Sequence, residues 1–283
     1  MKLISQNYGK QHVRVLKVLR DGARHDVKEL EFGVRLEGDF ESSYTGGDNS
    51  CVVPTDTMKN TVQVLAHEHL GLQTEPFAVQ LAEHFLKQYP QVHRVTIETT
   101  ERCWNRLSVG GQAHDHAFTG SNLQPVVKAV AARGNATETQ SGIAGLTIMK
   151  STGSGFAGYP KCAWTTLPET SDRILATEMS ARWRWGTAPA DFNTANAMIL
   201  EAMLGVFAAS FSPSVQATLY EMAAAAFNAC AEIIRIELTM PNKHYLPANL
   251  KPFGLDGAGV SFVPTDEPHG QIEAVILRGE SSS

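Results

Sequence analysis

Several familiar signatures are missing from this sequence. The four cysteines, Cys51, Cys103, Cys162 and Cys230, stand far apart and form no CxxC. That disfavours a zinc ribbon or a thioredoxin-like site and suits free thiols in a reducing compartment. No Gly-x-Gly-x-x-Gly opens a helix, and neither a P-loop nor a Gly-x-Ser-x-Gly elbow occurs, which removes the common nucleotide and hydrolase readings. A strong charge bias is also lacking. Against 29 acidic residues stand 24 basic ones, a net charge of −5, and a non-specific nucleic-acid binder needs a basic face. The most apolar run, Ala195 to Phe211, is broken by Asn196 and Glu201. It falls short of the ~20 apolar residues a membrane span requires and reads as a buried helix. The opening residues, Met1 to Lys10, hold no apolar stretch of the secretory kind. The final Gly279-Glu280-Ser281-Ser282-Ser283 carries no peroxisomal tripeptide. A cytoplasmic protein without membrane or nucleic-acid partners is the expectation.

What is present is ordinary globular material. Of 283 residues 43% are hydrophobic and 19% charged, enough for a core that needs neither disulfide nor metal. Residues 12–20 and 25–38 read as long strands. In the second, Leu30, Phe32, Val34 and Leu36 alternate with Glu29, Glu31 and Arg35, the period of a half-buried antiparallel strand. Asp21-Gly22 between them is a hairpin signal. A helix opens at Thr55 with a stripe of Met58, Val62, Leu65 and Leu70, and Gly71 stands as its C-cap. A second helix spans 76–88, followed by strands at 92–100 and 103–110. The later half repeats this order. Strands are expected near 126–133, 143–150 and 178–185, helices near 191–211 and 213–231, and strands near 232–240, 258–263 and 271–278. The pattern is α+β with helices on one sheet face. A polar stretch, Gly134 to Gln140, marks the boundary, giving modules 1–136 and 137–283.

Individual candidates are ambiguous on residue type alone. Thr55 and Asp56 suit a helix N-cap, or a helix start that faces an anion. Lys10, just ahead of the first strand, is a solvated strand-end charge or a base. His114 and His116 share a strand face, which allows either hydrogen bonding or two zinc ligands awaiting a third. Phe156, in a Gly-rich segment, plugs a loop or stacks on a flat heterocycle. Arg173 forms a local ion pair with a neighbour or offers its fork to a planar anion. Val215-Gln216 opens a helix, and Gln216 presents both donor and acceptor. Pro241-Asn242-Lys243-His244-Tyr245 reads as a polar turn.

Taken together, the segments resemble the urate oxidase (uricase) family. The resemblance runs through Tyr8-Gly9-Lys10, Val53-Pro54-Thr55-Asp56-Thr57-Met58-Lys59-Asn60-Thr61 and Gly145-Leu146-Thr147-Ile148-Met149-Lys150-Ser151-Thr152. It continues with Thr165-Thr166-Leu167, Asp172-Arg173-Ile174-Leu175, Ser214-Val215-Gln216-Ala217-Thr218 and Pro241-Asn242-Lys243-His244-Tyr245. These motifs occur in the family's order along nearly the whole chain. The resemblance implies two tandem tunnelling-fold (T-fold) modules, antiparallel sheets with paired helices on one face, and a tunnel-shaped homotetramer with active sites between subunits. It implies oxidation of urate by dioxygen and water to 5-hydroxyisourate and hydrogen peroxide, with no cofactor and no metal. By the same resemblance, Lys10 and Thr55 form a proton relay assisted by His244. Arg173 and Gln216 clamp the purine anion, Phe156 stacks on it, and the Val215 backbone adds a hydrogen bond. Asn242 holds water or dioxygen above the ring, and Asp56 contacts substrate from the half-site of Thr55.

Two rivals have their own discriminators. A zinc-dependent pterin or purine hydrolase of T-fold type would use His114, His116 and a third ligand. A purine-binding oligomer without catalysis would keep the pocket but not need Lys10, Thr55 and His244.

Overall fold

The alternation in the second strand sets the first layer. Leu30, Phe32, Val34 and Leu36 are each no more than 1% exposed, because side chains of a strand alternate between faces and one face here meets helices. The computed structural model describes residues 1–255 and 259–279. It divides into two compact units, Met1–Ala144 with Ala188–Asn193, and Gly145–Thr187 with Thr194–Ser283. The division falls inside a strand, eight residues beyond the sequence boundary at 136.

In the first unit, β1 (Tyr8–Asp21) and β2 (Arg24–Gly38) form a hairpin, followed by the short helix α1 (Glu41–Thr45). Helices α2 (Thr55–His69) and α3 (Thr74–Gln88) precede β3 (Val92–Arg102). A small hairpin of β4 (Trp104–Val109) and β5 (Gln112–Gly120) leads to β6 (Gln124–Ala132) and β7 (Glu138–Lys150). The sheet order is β1-β2-β3-β6-β7, antiparallel throughout. Asp21 pairs with Arg24 across a two-residue turn in which Gly22 takes φ 57°, a conformation glycine adopts without steric cost. Against the apolar sheet face lie Met58, Val62 and Ala66 of α2 and Phe77, Leu81 and Phe85 of α3, all buried. Their spacing of four is one helical face. Phe32 and Phe77 meet edge to face at 5.7 Å.

The second unit repeats the order strand, strand, helix, helix, strand, strand. The end of β7 is followed by β8 (Leu175–Trp185), α4 (Phe192–Ala209) and α5 (Val215–Ala229). Then come β9 (Ile233–Thr239), β10 (Asn242–Pro247), a 3-10 turn at Lys251–Phe253, β11 (Phe262–Gly270) and β12 (Glu273–Leu277). Strands β9 and β10 both pair with β8, with Thr239 opposite Ser180 and Asn242 opposite Thr177. They therefore lie in one line, β12 flanking β9 and β11 flanking β10.

Four local expectations are corrected. The segment after Pro241 is strand rather than turn. Pro241 removes one ladder donor, but the register with β8 carries on past it. Helix α2 ends at His69, with extended Leu70 as its C-cap, and Gly71 takes no left-handed conformation. Pro54, not Thr55, occupies the N-cap of α2, and no side chain caps it. Helix α4 is buried along one stripe, Phe192, Ala195, Ile199, Met203 and Phe207, and Met198 is 48% exposed. Apolar residues recur on most sides of it, with only Asn193, Thr194, Asn196 and Glu201 polar, so periodicity marks the covered stripe weakly. The expected strand at 258–263 falls partly outside the described residues, as does the serine-rich ending. The strand observed there begins at Phe262.

Candidate active site

Lys10 belongs to β1 itself, not to the approach before it. Lys10 pairs with Val34 and Val13 with Phe32, so β1 carries one extra residue between them. His12 inside this bulge has φ 57°. Because Val34 and Phe32 face the helices, the bulge keeps Lys10 on the helix side of the sheet, where α2 begins. Gly9 permits the close approach, since a Cβ there would lie 1.8 Å from the Val34 carbonyl oxygen. Tyr8 ties the start of α2 to the same strand. Its hydroxyl accepts from the Val53 N–H at 2.7 Å and donates to the Val53 carbonyl at 3.2 Å. Burial pushes the Tyr8 hydroxyl pKa up. Thr55 thus opens α2 next to the pinned Val53-Pro54 pair. Asp56 is exposed, accepting from Lys59 at 2.5 Å and Asn60 at 3.1 Å. Those contacts, Lys59 foremost and Lys10 least, hold its carboxyl below the usual range. Lys10 and Thr55 make no direct hydrogen bond to one another among the described residues.

The second unit gathers the other candidates from three separate segments. Phe156 N–H donates to Thr170 O at 2.7 Å and Thr170 N–H returns to Phe156 O at 3.0 Å. Arg173 N–H donates to Ser154 O at 2.8 Å. Gly155 N–H donates to Ser212 O at 2.8 Å, and Ser212 N–H to Gly153 O at 2.9 Å. Five backbone hydrogen bonds thereby lock the segments around Phe156, Arg173 and the start of α5 to one another. A side chain on Gly155 would meet Thr170 O at 2.9 Å, so only glycine fits the crossing.

Within this lattice the Arg173 guanidinium lies 5.4 Å from the Phe156 ring centroid. Its Nε is buried and unpartnered. The local ion pair expected as one alternative is not formed. Asp172 instead accepts from Thr152 Oγ1 and the Gly153 N–H. Burial lowers the Arg173 pKa from its ordinary value, although a guanidinium stays protonated at neutral pH. At the start of α5, Ser214 Oγ accepts from the Ala217 N–H at 3.1 Å. The N–H groups of Val215 and Gln216 have no backbone partner among the described residues. Such a helix start favours an anion. The Val215 side chain is buried, while Gln216 is exposed.

Asn242 and His244 alternate with Lys243 on β10, so they share one face. Asn242 pairs with Thr177 and Lys243 with Ala176, which brings both toward the start of β8, two residues after Arg173. Lys243 itself turns to Glu178 at 2.8 Å. Thus Lys10, Thr55 and Asp56 occupy the first unit, and Phe156, Arg173, Val215, Gln216, Asn242 and His244 the second.

The histidine pair of the metal alternative sits elsewhere, on the β4–β5 hairpin. His114 and His116 rings meet at 4.7 Å, with His25 5.9 Å from His116. Among the described residues no three His, Cys, Asp or Glu side chains are grouped to hold a metal.

Sequence reasoning passed over three supporting residues. Tyr8 and Lys150 lie inside family-like motifs that by residue type give them no role of their own. Lys150 Nζ donates to Ser210 O at 2.7 Å and lies 5.6 Å from the Phe207 ring, and burial lowers its pKa. It steadies the turn that leads into α5. Tyr159, stacked on Phe156 at 4.8 Å, had no signal beyond an aromatic three residues after another.

A family model described as Uricase matches residues 6–124 and 139–273. The chain belongs to the uricase family. The uricase of Arthrobacter globiformis is 40% identical over 277 residues, covering 98% of this chain and 90% of that protein. The uricase of Cyberlindnera jadinii is 37% identical over 297 residues, covering 99% and 98%. The crystal structure of uricase from Arthrobacter globiformis matches with a TM-score of 0.93 at 39% identity, covering 100% of this chain and 97% of that one. As a member of the uricase family the chain is an oxidoreductase, a urate oxidase.

Proposed function

We propose that this urate oxidase joins urate, dioxygen and water to give 5-hydroxyisourate and hydrogen peroxide, using neither metal nor organic cofactor. The observation that carries the reading is the half-buried Arg173 guanidinium, its Nε enclosed and unpartnered, beside the Phe156 ring. Cation and aromatic face together suit a flat anion. Arg173 and Gln216 grip opposite polar edges of the purine, the Val215 N–H adds a hydrogen bond, and Phe156 stacks on the ring. Asn242 holds water or dioxygen above it. Lys10 and Thr55 relay the proton with His244 assisting, and Asp56 contacts substrate beside Thr55.

Deprotonated urate is electron-rich and can itself reduce dioxygen. Two electrons pass from the ring to oxygen, which leaves as hydrogen peroxide. Water adds its hydroxyl at the oxidised carbon. The protein's share is to remove a proton, hold the ring and exclude stray water, so positioning and pre-organised polar groups are the levers.

The reading also has two tandem T-folds per chain and a homotetramer in which half-sites from two chains meet. Two features support it: the uncovered side of α4, where Met198 is 48% exposed, and exposed apolar residues on outer strands, Leu16 of β1, Val263 of β11, and Val275 and Leu277 of β12. Large exposed apolar surface is where chains associate. A reducing, cytoplasmic setting suits the four unpaired cysteines.

The decisive test follows the loss of urate absorbance together with peroxide formation, with and without a metal chelator. Stoichiometric peroxide that survives chelation is expected. Turnover that vanishes with the chelator, or an assembly that stays monomeric while active, overturns the reading.

A further inference from the structure

Phe156 is held by more than its backbone. The Tyr159 ring lies parallel to it, with centroids 4.8 Å apart and planes 15° apart. Gly158 makes this possible. With φ 75° it reverses the chain between the two aromatics, a conformation that residues with a Cβ rarely adopt. Tyr159 is in turn fixed from outside. Its hydroxyl donates to Leu167 O at 2.6 Å. Lys161 Nζ stands 5.8 Å from its ring centroid and pairs with Glu169 at 2.8 Å. Glu169 adjoins Thr170, the residue that closes the loop onto Phe156. The segment from Phe156 to Thr170 is therefore a closed loop folded back on its own first residue.

We infer that Tyr159 is a positioning residue that stacks on the Phe156 ring and fixes its plane for contact with the purine. The inference rests on the placing of Phe156 against substrate proposed above. A lone phenylalanine at the mouth of a loop turns about its side-chain bonds, and each orientation lost on binding costs affinity. A parallel ring stacked on it removes that freedom beforehand. The hydroxyl anchor serves only to hold Tyr159, so the ring, not the oxygen, carries the effect.

The test uses the full-length enzyme with urate. Tyr159→Met keeps most of the bulk while removing the ring face. KM is expected to rise about three- to tenfold, the worth of one aromatic stack, with kcat little changed. Tyr159→Phe should restore KM almost fully. In a Phe156→Leu background, where KM is already raised, Tyr159→Met should add nothing, because the two act as one unit. A KM that is unchanged or lowered in Tyr159→Met overturns the inference. So does a Phe variant as poor as the Met variant, or an equal further rise in the Phe156→Leu background. Unaltered KM in Phe156→Leu alone would instead overturn the stacking role of Phe156, and the brace with it. Thermal denaturation of each variant tells a loosened platform from an unfolded chain.

Discussion

Arg173 and Phe156 face each other at 5.4 Å inside the second unit, a guanidinium set over an aromatic ring. Neither is placed by its own element. Both are fixed by backbone hydrogen bonds to neighbouring segments, from Arg173 to Ser154 and between Phe156 and Thr170. The main chain carrying the pair is thus held before any ligand arrives, which favours reading a flat anion with little reorganisation.

Arg173→Ala should weaken urate binding by a factor of about 30 or more, the scale for losing one partner of a buried charged hydrogen bond. Arg173→Lys should recover little, since an ammonium cannot offer the planar fork. Titration calorimetry with urate under anaerobic conditions measures this directly. Unaltered affinity removes Arg173 from the binding site.

Lys10→Met should leave KM near its original value and lower kcat by roughly 10²- to 10⁴-fold, the range for a positioned proton carrier. Steady-state kinetics separate the two constants. Loss of binding at undiminished turnover would give Lys10 a different task.

The cysteines should differ in reactivity. Cys162 is exposed, and its sulfur accepts from Thr165 Oγ1 and the Trp164 N–H. Those donors stabilise the thiolate and lower its pKa. Burial, with Glu101 adding to it, pushes the Cys103 thiol up to about 11, and burial raises Cys230 as well. Since the thiolate is the nucleophile, iodoacetamide at pH 8 should label Cys162 first and Cys103 and Cys230 far later. Peptide mass spectrometry over a time course decides, and equal rates at Cys103 and Cys162 would contradict the assignment.

One buried ion pair offers a stability test. Lys28 Nζ lies 2.5 Å from Glu101, with the side chains 6% and 17% exposed. Glu101→Gln leaves the lysine charge buried without its partner and should cost about 3–5 kcal/mol in urea unfolding. Replacing both residues, Lys28→Met with Glu101→Leu, should recover most of that loss. A single variant as stable as the parent would show that the pair is solvated.

Particular residues show how far the sequence reached. The alternation of Leu30, Phe32, Val34 and Leu36 gave β2 and its buried face, because period two has one reading when half the residues are charged. The stripe Met58, Val62 gave the covered side of α2 for the same reason. The apolar α4 gave a helix but not its bare side. Pro241 looks like a turn because a proline breaks ladder pairing locally, and only the continuing register with β8 at Asn242 and the pairing with β11 at His244 make these strand residues.

Order along the chain, the repeated strand and helix pattern, and the kinds of side chain available for chemistry were determined by sequence alone, since propensity and periodicity are local. Which of those side chains meet was decided by tertiary structure. The extra residue in β1 aims Lys10, and the lattice of Ser154, Thr170 and Ser212 sets Arg173 over Phe156. Gly158 turns Tyr159 back onto that ring. Each depends on hydrogen bonds or packing between groups far apart in sequence, or on a backbone reversal whose target no local pattern encodes.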